Sequence, residues 1–234
     1  MTRILDGRVA LVTGASRGIG AAVAIGLAAL GAHVVLLART QGGLEETDDA
    51  IRKAGGSATL LPLDLRKPET LDPVGPSIVT RFGRLDILVH NAGTLGKLTP
   101  AAHIQPKDWD ECIAVNATAA FRLIRTCAPP LIASDAGRAV FVSSHVAREP
   151  RAFWATYAAS KAAMEALARS WADETENTNL RVNIFEPGRT ATRMRATAYP
   201  GEDPNTLPRP EERAASLLPL CLPSETRTGA VIAA

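Results

Sequence analysis

Aromatic residues are scarce in this chain of 234 residues. Phe, Trp and Tyr together make up 4% of the sequence, whereas hydrophobic residues as a whole make up 46%. The core must therefore consist mainly of Val, Leu, Ile and Ala, which buried parallel strands and the helices covering them commonly use. A chain of this length fits one α/β domain and buries enough surface to fold without disulfides or a metal.

Cysteine and net charge are also low. Cys112, Cys127 and Cys221 lie far apart and form no C-x-x-C pair, which indicates a reduced, cytoplasmic protein rather than a disulfide framework. The formal net charge of +2 is too small to indicate a nucleic-acid or membrane partner. The four histidines are scattered without metal-ligand spacing, so we expect no metal site.

The sequence has no long uninterrupted hydrophobic run in its first half. Residues 21–38 are largely apolar, but Gly26, Gly31 and His33 interrupt them. The pattern fits a helix followed by a strand better than a membrane span. The first apolar stretch leads into a glycine-rich turn rather than a secretory cleavage site, which agrees with a cytoplasmic location.

Short apolar runs alternate with longer helical segments along the chain. We predict seven strands, at residues 8–12, 33–38, 58–63, 85–90, 139–143, 180–185 and 230–233. The longer helices are predicted at residues 18–30, 44–54, 106–131 and 155–176. Such alternation predicts one Rossmann-like α/β domain over residues 1–234, a doubly wound parallel sheet with helices on both faces.

Two proline-rich segments interrupt this alternation. Residues 67–81 should cross the sheet as a helix, but Pro68, Pro73 and Pro76 predict a short or broken one. Residues 198–210 are also rich in proline and predict an ordered loop. Because loops at the carboxyl ends of parallel strands commonly carry the ligand site, we expect residues 189–210 to form a lid over a substrate.

A glycine-rich turn joins the first predicted strand to the first helix, and reads Thr13-Gly-Ala-Ser-Arg-Gly-Ile-Gly20. Glycine permits a tight turn and the close approach of a pyrophosphate, and the start of a helix offers free N–H groups and a positive dipole end. The candidate phosphate-binding residues are Gly14, Ser16, Arg17, Gly18, Ile19 and Gly20. A plain strand-to-helix turn is the alternative interpretation.

The end of the second strand favours a cofactor with a 2′-phosphate. NAD-binding folds commonly carry an acidic residue there to hold the ribose 2′-hydroxyl. Here the chain reads Leu36-Leu-Ala-Arg-Thr40 and has no carboxylate. Arg39 and Arg17 can bind a phosphate through their forked donors, so the expected cofactor is NADP(H). The alternative is that both arginines are ordinary solvated residues.

A tyrosine and a lysine four residues apart form the candidate catalytic pair. Tyr157 and Lys161 fall on one face of the helix predicted at 155–176. A nearby ammonium favours the phenolate, which lets tyrosine exchange a proton with a carbonyl or alcohol oxygen while hydride moves. The spacing alone occurs on many helices by chance. Its position after a strand that ends in Ser143-Ser144 makes it informative.

The order of these motifs resembles that of the short-chain dehydrogenase/reductase family. From about residue 8 to the C-terminus, the glycine-rich turn is followed by Asn91-Ala-Gly93, Asn116, the Ser144, Tyr157 and Lys161 group, and Pro187-Gly188. The resemblance implies a carbonyl–alcohol oxidoreductase with Tyr157 as acid/base and Ser144 holding the substrate oxygen. It also implies that Asn116 bends its helix and anchors a water that supplies protons to Lys161.

The same resemblance implies further cofactor contacts and a subunit arrangement. The implied contacts are Asp64, Leu65, Asn91, Ala92, Gly93, Tyr157, Lys161, Pro187, Gly188, Thr190 and Thr192. Three residues depart from the family pattern, because His90 replaces an Asn, Glu186 stands where a small residue is common, and Thr190 takes the place of a usual aliphatic residue. Family members usually pair the helices that follow the fourth and fifth strands, so a homodimer or homotetramer is expected.

The sequence leaves the substrate open beyond a small carbonyl or alcohol compound, because one fold supports many chemistries. Candidate pocket residues are His145, Arg148, Trp154, Arg193 and Tyr199. Arg148, Arg151, Arg193 and Arg195 would suit an anionic substrate unless they are only solvated. Two other functions stay open: an NADP(H)-sensing protein without catalysis, and an epimerase or dehydratase on the same scaffold.

Overall fold

The computed structural model describes residues 3–234, which contain a single sheet of seven parallel strands. The strands are β1 (Val9–Thr13), β2 (His33–Ala38), β3 (Ser57–Pro62), β4 (Ile87–His90), β5 (Arg138–Val142), β6 (Arg181–Glu186) and β7 (Val231–Ala233). Their order across the sheet is β3-β2-β1-β4-β5-β6-β7. The predicted Rossmann-like sheet is therefore confirmed, and each strand begins within two residues of its predicted start.

Eight α-helices lie within the described residues. They are α1 (Gly18–Ala29), α2 (Gln41–Lys53), α3 (Val74–Phe82), α4 (Pro106–Ile113), α5 (Ala119–Ala133), α6 (Ala155–Glu174), α7 (Arg193–Ala198) and α8 (Pro210–Leu217). None of the helices in residues 3–234 is both long and apolar enough to cross a membrane.

Alternate residues of the central strands pack on opposite faces of the sheet. On β1, Ala10 and Val12 belong to a core that includes residues of α1, α2 and α8. Val9 and Leu11 belong to a second core, formed with α3, α5 and α6. Since successive side chains of a strand point to opposite faces, a strand buried on both sides must be largely apolar, as residues 9–12 of β1 are.

The helix predicted at residues 106–131 is present, because residues 106–133 are helical throughout, but its α-helical hydrogen bonding is interrupted in the middle. A π-helical turn, Ala114–Thr118, separates α4 from α5 and has Asn116 at its centre. A π turn contains one extra residue per turn and commonly lies at a functional site. The distortion occurs at the residue where the family resemblance implies a bend.

The two proline-rich segments differ in their outcomes. Residues 67–81 form a short 3₁₀ turn, Pro68–Leu71, followed by α3, so the predicted broken crossover is confirmed. The segment expected to be a lid, residues 189–210, contains α7 and a 3₁₀ turn, Pro204–Thr206. It is therefore partly helical rather than a loop throughout.

Candidate active site

A cleft of about 650 Å³ lies at the carboxyl ends of the central strands. β1 pairs with β2 on one side and β4 on the other, so the strand order reverses here, and ligands bind at such switch points in open parallel sheets. Most of the predicted site residues line the cleft: Gly14, Ser16, Arg17, Gly18, Ile19, Arg39, Asp64, Leu65, Asn91, Ala92, Gly93, Ser144, Tyr157, Lys161, Pro187, Gly188, Thr190 and Thr192. Gly20 and Asn116 lie behind its walls.

The glycine-rich turn is packed so tightly that two of its positions exclude any side chain. Gly14 has a positive φ of 66°, and a Cβ there would lie 2.8 Å from Asn91 Nδ2 and 2.9 Å from Ala92 Cα. A Cβ on Gly20 would lie 2.3 Å from the Gly14 carbonyl oxygen. Gly20 therefore supports the turn from behind, while the turn itself forms the floor of the cleft.

The first turn of α1 is suited to an anion. Asn91 fixes the preceding turn by donating from Nδ2 to the carbonyl oxygens of Thr13, at 3.1 Å, and Gly14, at 3.4 Å. No side chain caps the N-terminus of α1, and Arg17, Gly18 and Ile19 line the cleft there. The uncapped N–H groups and the helix dipole favour a phosphate at this position.

One end of the cleft carries three arginines, Arg17, Arg39 and Arg66. Arg17 and Arg39 are exposed. Asp64 is held by Arg66, with contacts of 2.6 Å and 2.9 Å, and these hydrogen bonds lower the pKa of Asp64. Arg66 was not among the predicted residues, although its position two residues after Asp64 could have indicated an ion-pair partner for that carboxylate. This end of the cleft is therefore cationic.

Tyr157 and Lys161 are both buried, with relative exposures of 7% and 2%. Lys161 Nζ donates to the Val142 carbonyl oxygen at 2.7 Å and lies 6.0 Å from the centre of the Tyr157 ring. Burial lowers the pKa of Lys161 to about 8, because the charged form is poorly solvated.

The protonation state of Tyr157 differs from the sequence-based expectation. Burial raises its pKa, Cys112 acts in the same direction, and only the neighbouring Ser144 hydroxyl lowers it. The lowering expected from the Lys161 ammonium is therefore not found. Tyr157 is held as a neutral phenol, which has a proton to donate.

The two serines at the end of β5 have separate contacts. Ser143 is buried and donates to Glu165 Oε1 at 2.6 Å, so its hydroxyl proton is already used within the protein. Ser144 lies beside Tyr157 and lines the cleft. The arrangement favours Ser144 over Ser143 as the group that contacts a substrate, as the motif spacing predicts. Glu165 has no motif and was not found from the sequence.

Asn116 holds the π turn in place from behind the cleft. Its Oδ1 accepts from the Thr94 N–H at 2.8 Å, and its Nδ2 donates to the Thr94 carbonyl oxygen at 2.9 Å and to Ser160 Oγ at 2.8 Å. These contacts tie the loop after β4 to α6, the helix that carries Tyr157 and Lys161. The Asn116 side chain is thus fully used in positioning.

The far end of the cleft is formed by the segment after β6. The Thr190 hydroxyl is buried and lies 3.4 Å from the carbonyl oxygens of both Pro187 and Gly188. Thr192 Oγ1 accepts from the Arg195 N–H at 3.2 Å and so caps α7. The turn at Pro187 is therefore linked to the start of the expected lid by long hydrogen bonds of the Thr190 hydroxyl.

Only some of the candidate substrate residues reach the cleft. His145, Trp154 and Arg193 line it, whereas Arg148 and Tyr199 do not. Tyr199 instead packs against Trp154, with ring centres 5.9 Å apart. The apolar lining near Tyr157 includes residues that the sequence did not single out: Leu95, Val115, Met194 and Ala198.

Two of the arginines proposed for an anionic substrate are already paired with carboxylates. Arg148 forms ion pairs with Glu165 and with Glu186. Arg195 binds Glu202 through two nitrogens and lies over the ring of Tyr199, 3.6 Å from its centre. Both arginines therefore have partners within the chain, although Arg195 also lines the cleft, and anion recognition by these residues stays a prediction. Glu186, the unusual carboxylate beside Pro187, is neutralised by Arg148.

Comparison with known proteins identifies clear relatives. The family model described as short chain dehydrogenase matches residues 8–203. The uncharacterized oxidoreductase YciK of Escherichia coli is 40% identical over 222 residues, which cover 94% of this chain and 86% of that protein. The 3-oxoacyl-acyl-carrier-protein reductase FabG of Salmonella typhimurium is 33% identical over 189 residues, covering 81% and 76%.

Solved structures give the same result. A short chain dehydrogenase of Shigella flexneri complexed with NADP superposes with a TM-score of 0.94 at 39% identity, covering 100% of this chain and 99% of that one. One from Escherichia coli complexed with NADPH has a TM-score of 0.91 at 39% identity, covering 99% and 98%. The match therefore extends over the sheet, the cleft and the expected lid.

Proposed function

Since the chain belongs to the short-chain dehydrogenase family, we propose that it is an NADP(H)-dependent oxidoreductase that interconverts a carbonyl and an alcohol. The observation that carries this proposal is a single cleft that brings the uncapped start of α1 together with Ser144, Tyr157 and Lys161. To support hydride transfer to a carbonyl, a protein must bind the phosphates of the cofactor and supply a proton donor nearby.

The cleft fits a cofactor with a 2′-phosphate. The glycine-rich turn leaves room for a pyrophosphate at the N-terminus of α1, and Arg17 and Arg39 would hold the 2′-phosphate. Two similar structures contain NADP or NADPH, which agrees with this assignment. When bound, the cofactor supplies or accepts the hydride.

The residues of the chain would supply the proton and hold the substrate oxygen. Ser144 would donate a hydrogen bond to the carbonyl oxygen and so stabilise the negative charge that develops on it. Tyr157 would then donate its phenolic proton to the same oxygen. The Lys161 ammonium would favour the phenolate left behind. In the oxidation direction the same groups act in reverse, with the Tyr157 phenolate accepting the alcohol proton.

The wall near Tyr157 favours a substrate with an uncharged, apolar part. Leu95, Tyr157 and Ala158 form a buried cluster with Val146, and Trp154, Met194 and Ala198 pack against it. Arg148 and Arg195 are committed to carboxylates of the chain. We therefore expect neutral apolar ketones and aldehydes to be turned over in preference to phosphorylated ones.

Self-association is part of the proposal. Trp109 on α4 and Phe121 and Ile132 on α5 are large apolar residues with relative exposures of 39%, 44% and 40%. These helices follow β4, where family members commonly pair. A homodimer or homotetramer would cover these side chains. A monomeric mass in solution at micromolar concentration would contradict this part of the proposal.

The first test is a fluorescence titration with NADPH and NADH on the wild type, Arg39→Ala and the control Arg52→Ala. Arg52 lies at the opposite end of α2 and pairs with Asp48. We expect tighter binding of NADPH than of NADH, with the preference lost in Arg39→Ala and kept in the control. Equal or better NADH binding would contradict the cofactor assignment. Binding without turnover of any carbonyl compound would favour the NADP(H)-sensing alternative.

A further inference from the structure

Glu186 is a carboxylate at the end of β6, and the proposed reaction has no step for it. It stands directly before the Pro187–Gly188 turn, which lines the cleft. Its side chain is only 17% exposed. Because charges held away from water are normally paired, the partner of Glu186 shows which parts of the site it connects.

The register of the sheet places Glu186 beside the end of β5. The Ser143 N–H donates to the Phe185 carbonyl oxygen at 2.8 Å, so Glu186 is level with the residues that follow β5. Because alternate residues of a strand share a face, Glu186 projects to the same side as Ile184, whose core includes residues of α6. The carboxylate therefore lies on the side of the sheet that carries the catalytic helix.

The partner of Glu186 is Arg148, which belongs to the segment after β5. Ser144 begins a 3₁₀ turn that Arg148 ends. Within this turn the Ala147 N–H donates to the Ser144 carbonyl oxygen at 3.0 Å. The Arg148 guanidinium then donates to the Glu186 carboxylate. A short hydrogen-bonded turn thus connects Ser144 to a side chain that is tied to β6.

Arg148 holds a second carboxylate at the same time. Its Nη1 donates to Glu165 Oε1 at 3.2 Å, whereas its Nη2 donates to Glu186. The fork of a guanidinium suits two separate acceptors, because its donors have fixed directions. One side chain therefore joins the end of β6 to α6, the helix that carries Tyr157 and Lys161.

The Arg148–Glu186 contact spans the gap where the two strands part. Parallel strands diverge at this edge to form the cleft, with Ser144 on one side and Pro187 on the other. Within residues 3–234, no other hydrogen bond joins residues 144–150 to residues 186–190. The separation of these two segments therefore depends on this ion pair.

We propose that Arg148 and Glu186 are positioning residues for the reaction, which hold the segment of Ser144 at a fixed distance from the Pro187–Gly188 turn. The proposal rests on the proposed function, in which Ser144 holds the substrate oxygen and this turn contacts the cofactor. The ion pair then sets how far the carbonyl carbon lies from the hydride. Small errors in such a distance slow a reaction strongly.

The test is single-turnover oxidation of NADPH, with a ketone identified by screening the wild type, because such kinetics separate the chemical step from binding and product release. We expect Glu186→Ala to lower this rate by on the order of ten- to a hundredfold. The affinity for NADPH, measured by fluorescence titration, should stay unchanged, since the phosphates bind at the other end of the cleft. Glu186→Gln should recover most of the rate, because its amide oxygen can still accept from Arg148. Glu149→Ala, which removes an exposed carboxylate beside Arg148, is the control and should match the wild type.

A double variant shows whether the two residues act as a pair. In the Arg148→Met background, Glu186→Ala should lower the single-turnover rate no further, because the contact is already broken. Additive losses, a wild-type rate in Glu186→Ala, or an NADPH affinity that falls in parallel with the rate would overturn the positioning role alone. A wild type that binds NADPH but reduces no ketone or aldehyde would disprove the proposed function and this role together.

Discussion

Ser143 donates a 2.6 Å hydrogen bond to the carboxylate of Glu165, one turn beyond Lys161 on α6. The carboxylate is almost fully buried and also accepts from Arg148, at 3.2 Å, and Arg169, at 3.3 Å. Since Ser143 precedes Ser144, this contact fixes the end of β5 against the helix that carries the catalytic pair. The placement of Ser144 thus depends on a carboxylate outside the cleft.

Glu165→Gln is expected to destabilise the fold and reduce turnover. The amide keeps the shape of the side chain but removes the negative charge that Ser143, Arg148 and Arg169 share. Because these donors are left without a full partner, the free energy of unfolding should fall by about 1–3 kcal/mol. Chemical denaturation would measure the loss, and kcat should fall because Ser144 is less well held. Arg169→Gln is the control, because that exposed partner contributes at most about 1 kcal/mol. Equal unfolding free energies for Glu165→Gln and the wild type would contradict this role.

Gly14→Ala should abolish NADPH binding, because the turn has neither the backbone freedom nor the space for a methyl group. The φ of 66° is costly for any other residue, and the new Cβ would meet Asn91 Nδ2 at 2.8 Å. The control is Gly42→Ala on α2, where nothing lies within 4 Å of the new Cβ. Fluorescence titration should show binding lost in the first variant and kept in the second. Wild-type affinity in Gly14→Ala would show that the turn is not the phosphate site.

The parts of the site that follow local rules were predictable from the sequence. The glycine-rich turn, Arg39 and the Tyr157–Lys161 pair each depend on short spacing next to a strand or helix with a clear apolar pattern. The same holds for the sheet, since residues 9–12 of β1 and 34–38 of β2 are short apolar runs, which are typical of strands covered on both faces.

The parts that depend on distant contacts were not predictable. Glu165 meets Ser143 across 22 residues, and Arg148 meets Glu186 across 38. Nothing in the local sequence distinguishes Glu165 from a solvated helix residue. The π turn at Asn116 has a similar cause, because its stabilising partners, Thr94 and Ser160, lie 22 and 44 residues away. The apolar periodicity of residues 106–131 predicts a regular helix and does not reveal the extra residue of the π turn.

Tyr157→Phe should keep NADPH binding and eliminate turnover. The variant removes only the hydroxyl, and the phenyl ring can keep its packing against Trp154, whose ring centre is 6.0 Å away. Because Tyr157 is the proposed proton donor, loss of kcat should reach about 10²- to 10⁴-fold, the usual contribution of general acid catalysis. NADPH affinity and the melting temperature serve as internal controls. Substantial turnover by the variant would mean that another group supplies the proton.

Lys161 should make stability depend on pH in a defined direction. Its pKa is about 8 in the folded chain against 10.5 for the free side chain. Between these values the unfolded chain binds more protons than the folded one, so the contribution of Lys161 to the free energy of unfolding rises with pH. Below about pH 8 both states are protonated, and the full penalty of burying the ammonium applies.

The measurement is the difference in unfolding free energy between Lys161→Met and the cofactor-free wild type, taken at about pH 7 and again at about pH 10. Because the variant has no buried ammonium to lose, the difference should move in favour of the wild type as the pH rises. Lys97→Met, at an exposed position, is the matched control for removing one positive charge. A difference that does not change with pH would show that burial does not lower the pKa of Lys161 in the folded chain. Any lowering of the Lys161 pKa that assists Tyr157 would then have to come from the bound cofactor alone.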